Sequence, residues 1–397
     1  MNRTVGTVVR GVRTPVIRDG DNLVDIVADS LAKCQASEGF SFNDRDIVGV
    51  TEAVVARAQG NYAAIGHIRD DVKKKMPADE FAVVFPILSR NRFAVCLKGI
   101  AMAARKIHLV LSYPADEVGN SLFDETLIYK NSINPWLDEL TYEQYREKFG
   151  CPIHSITGMD YVAYYKKIIE EYGAECEFLF CNNIESIAKK YENILLCSIH
   201  GRDAQKEMLL ANGTKRVALL SEILNAKTDG CAGYNERYGL LGSNKATEES
   251  VKLFPRDCEA FMNALQQKLA DITGKRIEVI LYGDGAFKDP VSKIWELADP
   301  VVSPAYSKGL EGMTNEIKLK YIADIEFASL SGEKLTEAVR ERIGAIKGSL
   351  YGSMAAQGTT PRRLCDLLGS LCDLTSGSGD KGTPVVYIQG YFDNYSV

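Results

Sequence analysis

The sequence lacks the features that mark membrane, secreted and nucleic-acid-binding proteins. No apolar run approaches the length needed to cross a bilayer. The first residues lack the apolar core and small-residue cleavage site of a secretory signal. Basic residues do not dominate, because 47 Lys and Arg stand against 53 Asp and Glu, a formal net charge of −6. We therefore expect a cytoplasmic protein that binds neither membrane nor nucleic acid.

The chain also lacks the common sequence signatures of metal and nucleophile chemistry. Its 10 cysteines form no Cys-x-x-Cys pair and no Cys/His spacing of a zinc site. Its 4 histidines lie in no His-Glu-x-x-His or nucleophile-elbow pattern. The Walker A order and the dinucleotide-binding glycine fingerprint are absent too. We therefore expect reduced, buried thiols, and the sequence assigns no catalytic side chain.

The 397 residues show no internal repeat or low-complexity tract and separate into three regions by their residue pattern. Residues 1–120 mix helix and strand patterns. From 121 to 278, apolar strands alternate with amphipathic helices such as "MDYVAYYKKIIEEYG", which predicts a small layer of parallel strands. A mixed α+β arrangement would also fit this region. Residues 279–397 open with an apolar strand pattern and finish with the strand pattern "PVVYIQGYF".

Two acidic turns follow predicted apolar strands, at "YPADEVGN" and at "YGDGAFKDP". Carboxylates on short turns beyond buried strands are common ligands of Mg²⁺, which keeps phosphate and water as its other ligands. We therefore predict as metal ligands Asp116, Glu117 and Asp284. Neighbouring positions are predicted to contact phosphate, namely Asn120, Gly285 and Lys288. The alternative is that Asp, Asn and Gly merely form turns at both places.

The stretch "TSGSGDKGTP" is rich in small residues and directly precedes the last predicted strand. Successive backbone N–H groups of such residues can form a concave anion site, and Lys381 adds a positive charge. The predicted phosphate contacts of this loop are Ser376, Gly377, Ser378, Gly379 and Lys381. A mobile surface loop has the same composition, so both interpretations stay open.

A further predicted phosphate contact is Arg57, together with Gly60 just after it. Arg57 ends the run "DIVGVTEAVVAR", whose β-branched residues predict a strand. A guanidinium group beside a glycine suits an anion because the backbone can approach closely there. A solvated or salt-bridged surface arginine would fit the same pattern.

In combination, these stretches resemble the coenzyme F-420-0:L-glutamate ligase family. The opening "TPVIRDGDNLVDIVADSL", the run before Gly60, the two acidic turns and the closing "TPVVYIQGY" keep the order of that family's motifs. The resemblance covers the first and third regions. Ala53 and Arg57 stand where the family has lysines. The family's two acidic turns lie much closer together, so the middle region resembles an inserted domain.

The resemblance implies an α+β fold in which residues 1–120 and 279–397 together form one ligase-like unit, with residues 121–278 as an inserted α/β domain. It implies a γ-glutamyl ligase that uses GTP or ATP and Mg²⁺ or Mn²⁺. Such an enzyme activates a small-molecule carboxylate acceptor as an acyl phosphate and joins it to an amino acid, here expected to be L-glutamate in a γ-linkage. The family resemblance also implies a homodimer.

Two other functions would use the same residues. The acidic turns would serve a metal-dependent phosphotransferase or phosphohydrolase, and a non-catalytic relative would bind nucleotide without turnover. Nucleotide consumption that requires an amino acid distinguishes the ligase from both. The ligase hypothesis further requires Asp116 and Asp284 to lie close enough in space to share one metal ion.

Overall fold

The computed structural model describes residues 4–155, 157–228, 230–283, 301–314, 316–348, 350, 352, 353, 356, 362–377 and 379–395. Its strands are β1 (Val8–Val12), β2 (Ile47–Thr51), β3 (Tyr62–Ala64), β4 (Glu80–Val84), β5 (Lys106–Leu111), β6 (Leu140–Thr141), β7 (Glu175–Phe180), β8 (Asn193–Leu196), β9 (Arg216–Leu219), β10 (Asn244–Thr247), β11 (Ser250–Lys252), β12 (Glu278–Tyr282), β13 (Ala305–Tyr306) and β14 (Val385–Gln389). Its α-helices are α1 (Leu23–Glu38), α2 (Glu52–Ala58), α3 (Ile65–Lys75), α4 (Phe93–Ala101), α5 (Thr126–Lys130), α6 (Tyr142–Phe149), α7 (Tyr161–Glu171), α8 (Ile184–Lys190), α9 (Arg202–Ala211), α10 (Cys258–Thr273), α11 (Leu319–Tyr321), α12 (Gly332–Gly344) and α13 (Leu364–Ser376).

Local sequence explains where α1 begins and ends. The side chain of Asn22 accepts a hydrogen bond from the backbone N–H of Asp25 at 3.3 Å, which caps the first turn. Gly39 ends the helix in the left-handed conformation, with a φ of 69°. Val27 and Leu31, four residues apart, are fully buried against the first sheet. In the part of the chain that the structure describes, no helix is long and apolar enough to cross a membrane.

The first sheet has five strands in the order β1-β14-β2-β12-β13. Strands β2 and β12 are parallel, whereas β14 runs antiparallel to both β1 and β2. Helices α1 and α10 pack on one face of this sheet, and α13 packs on the other. The sheet thus combines strands from the first and last thirds of the chain. Together with the mixed second sheet, this arrangement confirms the predicted α+β class.

The second sheet has six strands in the order β6-β7-β5-β4-β8-β9. Strands β7, β5, β4, β8 and β9 are parallel and β6 is antiparallel, so the expected parallel layer is confirmed. Helices α3, α4 and α7 cover one face, and α8 and α9 cover the other. Strands β4 and β5 precede residue 121, so this sheet begins earlier in the chain than the start predicted for the inserted domain.

The predicted strand "DIVGVTEAVVAR" is wrong in its second half. Strand β2 ends at Thr51 and α2 begins at Glu52. The hydroxyl of Thr51 accepts a hydrogen bond from the N–H of Ala53 at 3.4 Å, which caps the helix. Val55 and Ala56 are buried and form the inward-facing side of α2. Because capping and burial outweigh the β-propensity of two valines, Arg57 lies on a helix.

Candidate functional site

The carboxyl ends of β2 and β12 lie side by side at one edge of the five-stranded sheet. The parallel register pairs Thr51 with Tyr282, so the chain leaves both strands at the same level, at Glu52 and Gly283. Strand β14 runs the other way, so residues 376–383, which precede it and which we call the terminal loop, reach the same edge. We call this region, formed by the two strand ends and the terminal loop, the β2–β12 edge.

Backbone hydrogen bonds fix the terminal loop at this edge. The N–H of Thr51 donates to the carbonyl oxygen of Pro384 at 3.0 Å, and the hydroxyl of Tyr282 donates to the same oxygen at 3.4 Å. The N–H of Thr14 donates to the carbonyl oxygen of Gly382 at 3.2 Å. The segment that carries the small-residue loop is therefore attached to the ends of both parallel strands, in contrast to the alternative of a mobile surface loop.

The described residues of the terminal loop contact one another. Ser376 ends α13, and its carbonyl oxygen accepts a hydrogen bond from the hydroxyl of Thr383 at 3.0 Å. Gly377 has a φ of 60°, and a Cβ placed there would collide with Nζ of Lys381. Gly379 and Lys381 form a single 3₁₀ turn. The lysine ammonium group therefore packs back over the glycine that ends the helix.

The second acidic turn falls in residues 284–300. Asp284, Gly285 and Lys288 lie outside the described residues, as does Ser378. Just before this turn, the N–H of Gly283 donates to the carbonyl oxygen of Val302 at 2.8 Å. The turn thus starts at the β2–β12 edge, and the predicted meeting of its carboxylate with Asp116 stays a prediction.

A buried ion pair, which the sequence analysis missed, lies beside the same strand end. Glu52 is the first residue of α2 and is 4% exposed, and Lys252 is the last residue of β11 and is 9% exposed. Nζ of Lys252 lies 2.6 Å and 2.8 Å from the two carboxylate oxygens of Glu52. The available signal was a lysine within the apolar stretch "SVKLF", but its partner is 200 residues away.

Arg57 and Gly60 lie at the far end of α2 from the terminal loop. Nε of Arg57 donates to the carbonyl oxygen of Ile17. Gly60 has a φ of 58°, and a side chain there would collide with the carboxylate of Asp19. A seven-residue helix is about 10 Å long. The structure therefore places these two residues against the turn before α1 and separates them from the terminal loop.

Asp116 is buried in the turn after β5, and its carboxylate accepts four hydrogen bonds. The N–H of Leu88 and the side-chain amide of Asn120 donate to Oδ2 at 2.7 Å and 2.9 Å. The N–H groups of Val118 and Asn120 donate to Oδ1 at 3.1 Å and 2.8 Å. Burial raises the pKa of Asp116 to about 6, against the opposite effect of these donors. Both oxygens are engaged by the protein, which suits a loop anchor better than a metal ligand, and Asn120 belongs to the same turn.

Glu117 connects this turn to the loop after β8. Its carboxylate accepts the N–H of Ile199 at 2.6 Å, of His200 at 2.7 Å and of Gly201 at 3.0 Å. These N–H groups belong to the residues just before α9, which begins at Arg202, and a negative charge is favourable near the N-terminus of a helix. Among the described residues, no group of three or more His, Cys, Asp or Glu side chains is arranged to hold a metal ion. The described carboxylates of the first acidic turn therefore do not fit Mg²⁺.

Comparison with known families agrees with this architecture. The sequence model of the family described as F420-0:Gamma-glutamyl ligase matches residues 11–390. No curated protein matches the chain. The family match covers strands of both sheets described above and of a three-stranded sheet in the order β10-β11-β3. It therefore includes the middle region, which the resemblance in sequence had left out.

Proposed function

We propose, from the premise that the chain belongs to the F420-0:Gamma-glutamyl ligase family, that it joins an amino acid to a small carboxylate acceptor while cleaving GTP or ATP. The family match supports amide-ligase activity. The nucleotide, the metal ion and the identity of the amino acid belong to the proposal, and we expect L-glutamate in a γ-linkage.

The proposed reaction has two steps, because a carboxylate is a poor electrophile. A carboxylate oxygen of the acceptor attacks the γ-phosphorus of the nucleotide, which forms an acyl phosphate and releases the nucleoside diphosphate. The amino group of glutamate then attacks the acyl carbon, inorganic phosphate leaves, and the nitrogen loses a proton as the amide forms. Both steps depend on positioning the reactants and on neutralising phosphate charge.

The anchoring of the terminal loop supports this proposal more than any other observation. In α/β structures, ligands bind outside the carboxyl ends of parallel strands, and the loop is attached at such a place, because the carbonyl oxygen of Pro384 accepts hydrogen bonds from the last residues of β2 and β12. The N–H of Gly377 donates to the carbonyl oxygen of Asp373 at 3.1 Å. The proposal therefore assigns the phosphate contacts of this loop to the backbone N–H of Gly379 and the positive charge of Lys381.

A divalent ion, Mg²⁺ or Mn²⁺, is the second part of the proposal. When bound, it would supply positive charge to the triphosphate. Asp284 is the candidate ligand, since in the sequence it directly follows Gly283, the residue at which the chain leaves β12. Asp116 and Glu117 are not assigned to the ion, because protein N–H groups occupy their oxygens.

A thermal-shift titration with GTP and ATP, with and without Mg²⁺ or Mn²⁺, tests the proposal. Ligand binding to the folded state raises the midpoint of thermal unfolding. We expect a rise that requires the metal ion and disappears in Asp284→Asn. The matched control, Asp116→Asn, should keep the nucleotide-induced rise, because that residue anchors a loop.

Phosphate release measured with and without L-glutamate separates the remaining functions. Release that requires the amino acid supports the ligase. Phosphate release that is independent of the amino acid would indicate a phosphohydrolase and contradict the ligase proposal. Nucleotide binding without phosphate release would indicate a non-catalytic relative. We also propose a cytoplasmic homodimer, for which sedimentation analysis is the direct test.

A further inference from the structure

We infer that Lys252, held in place by Glu52, is an anion-binding residue of the β2–β12 edge and contacts the phosphate groups of the nucleotide. This inference rests on the proposed function and deepens it. The positive charge that contacts the phosphate groups then comes from a residue of β11, a strand outside the five-stranded sheet. Glu52 acts as a positioning residue for that lysine.

The geometry of the pair is that of a fixed, desolvated contact. The side chains of Lys252 and Glu52 are 11% and 5% exposed. Both oxygens of the carboxylate face the ammonium group, at 2.6 Å and 2.8 Å. An ammonium group carries three N–H donors, and these contacts use two of them. The ammonium group is thus oriented, and among the described residues its third N–H has no recorded acceptor.

Stability alone does not explain this pair. Removing two charges from water is costly, and replacing a buried ion pair by apolar side chains of similar volume is often neutral or stabilising. Lys252 lies in a short strand whose neighbours Val251 and Leu253 are fully buried, so an apolar residue would fit there. A buried ion pair is thus weak evidence for a purely stabilising role, and we consider a functional role for this one.

The position of the pair connects it to the terminal loop. Glu52 directly follows Thr51, whose N–H donates to the carbonyl oxygen of Pro384. Thr51 pairs with Tyr282, so Glu52 leaves the sheet level with Gly283, on a neighbouring strand about 4.8 Å away. The carboxylate that holds the ammonium group of Lys252 therefore belongs to the residue directly after the strand end to which Pro384 is hydrogen-bonded.

A buried lysine provides a positive charge that solvent screens less than the charge of the terminal loop. Lys381 is exposed, and water and salt screen the charge of an exposed group. The charge of a buried group acts at a lower effective dielectric, and preorganised charges in such places stabilise the transferring phosphoryl group most strongly. Glu52 would keep the lysine side chain oriented before the nucleotide arrives.

The test compares Lys252→Met, Lys252→Arg and Glu52→Gln with the wild-type full-length protein. Measurements are the urea-unfolding midpoint, the Kd for GTP and ATP with Mg²⁺, and KM and kcat for phosphate release. We expect Lys252→Met to remain folded and to raise Kd about tenfold to a hundredfold, the loss typical of a hydrogen bond to a charged group. Lys252→Arg should recover part of the affinity, and Glu52→Gln should raise KM more than it lowers kcat.

The matched control is Lys75→Met. Lys75 pairs with Asp71 at 2.7 Å and also donates to the side chain of Asn225 at 2.9 Å, at the end of α3. This variant should lose stability and keep the wild-type Kd. If Lys252→Met behaves in the same way, the pair is structural and the inference is overturned. If the wild-type protein itself binds no nucleotide, it is the proposed function that fails.

A double variant covers the case in which Lys252→Met alone does not fold. Glu52→Met combined with Lys252→Met removes both charges, so no uncompensated charge is left buried. We expect this variant to fold and to bind nucleotide as weakly as predicted for the single lysine variant. Wild-type affinity in the double variant would overturn the inference.

Discussion

Asp116 illustrates what a buried carboxylate contributes in this protein. Its oxygens accept hydrogen bonds from Leu88, Val118 and Asn120, so it holds the loop after β4 and the turn after β5 in one arrangement. A hydrated Mg²⁺ ion would compete with these donors for the same lone pairs. At this position the carboxylate therefore stabilises the loops from which the parallel strands emerge.

The stability of the protein should depend on pH through Asp116. Its pKa is raised from 3.8 to about 6 in the folded state by burial. Between these values the folded state holds a proton that the unfolded state has released. The contribution of Asp116 to the free energy of unfolding is thus most favourable below pH 4, falls by on the order of 3 kcal/mol as pH rises to 6, and is constant above that.

Urea unfolding of the wild type and Asp116→Asn between pH 4 and pH 8 measures this effect. The difference in unfolding free energy between the two proteins should change between pH 4 and 6 and be flat from pH 6 to 8. Parallel curves over the whole range would show that Asp116 does not carry this titration.

At the residue scale, sequence indicates which side chains lie beyond strand ends but not which donors they meet. The pattern correctly places Asp116 and Glu117 just after β5. The partners come from elsewhere, since Leu88 follows β4 and the N–H groups bound by Glu117 precede α9. These donors are brought together only by the strand order of the six-stranded sheet, which a residue pattern does not encode.

At the element scale, the terminal loop depends on the conformation of one glycine. Gly377 ends α13 with a φ of 60°, and a Cβ there would collide with Nζ of Lys381. Gly377→Ala should therefore lower the free energy of unfolding by about 1 kcal/mol or more and weaken nucleotide binding by displacing the lysine. Gly379→Ala is the matched control, because no atom lies within 4 Å of its Cβ position.

Urea unfolding and nucleotide titration of both alanine variants test this role. The Gly379 variant should match the wild type in stability. Equal stability of the two variants would show that the left-handed conformation at the end of α13 does not constrain the loop.

The spacing of apolar residues predicted helix or strand correctly where a single periodicity extended through the whole element. Apolar spacing predicted α7, and short apolar runs predicted β5 and β14. The change from β2 to α2 was missed because Val54 and Val55 favour a strand, whereas the cap at Thr51 and the packing of α2 decide for a helix. The charge on Lys252 also gave no local indication of its partner on α2.

At the scale of the whole molecule, two different sheet edges could receive a nucleotide. The β2–β12 edge carries the terminal loop and the buried ion pair. The six-stranded sheet has its own candidate place, between β4 and β8, where the chain order of neighbouring strands reverses and ligands commonly bind. There, however, Asp116 and Glu117 already occupy the free N–H groups of the adjoining loops.

Hydrogen exchange should therefore locate the nucleotide at the β2–β12 edge. In the presence of Mg²⁺ and GTP or ATP, we expect slower exchange of backbone N–H groups in residues 376–383 and at Glu52, because bound ligand suppresses local opening. Residues 85–92 and 114–122, which flank the β4–β8 position, should exchange at unchanged rates. The matched sample, Lys252→Met with the same nucleotide, should show weaker protection at the β2–β12 edge alone. Protection confined to residues 85–92 and 114–122 would contradict this expectation and place the nucleotide at the six-stranded sheet. Phosphate could bind there only if it displaced the carboxylates of Asp116 and Glu117 from the backbone N–H groups that they now accept.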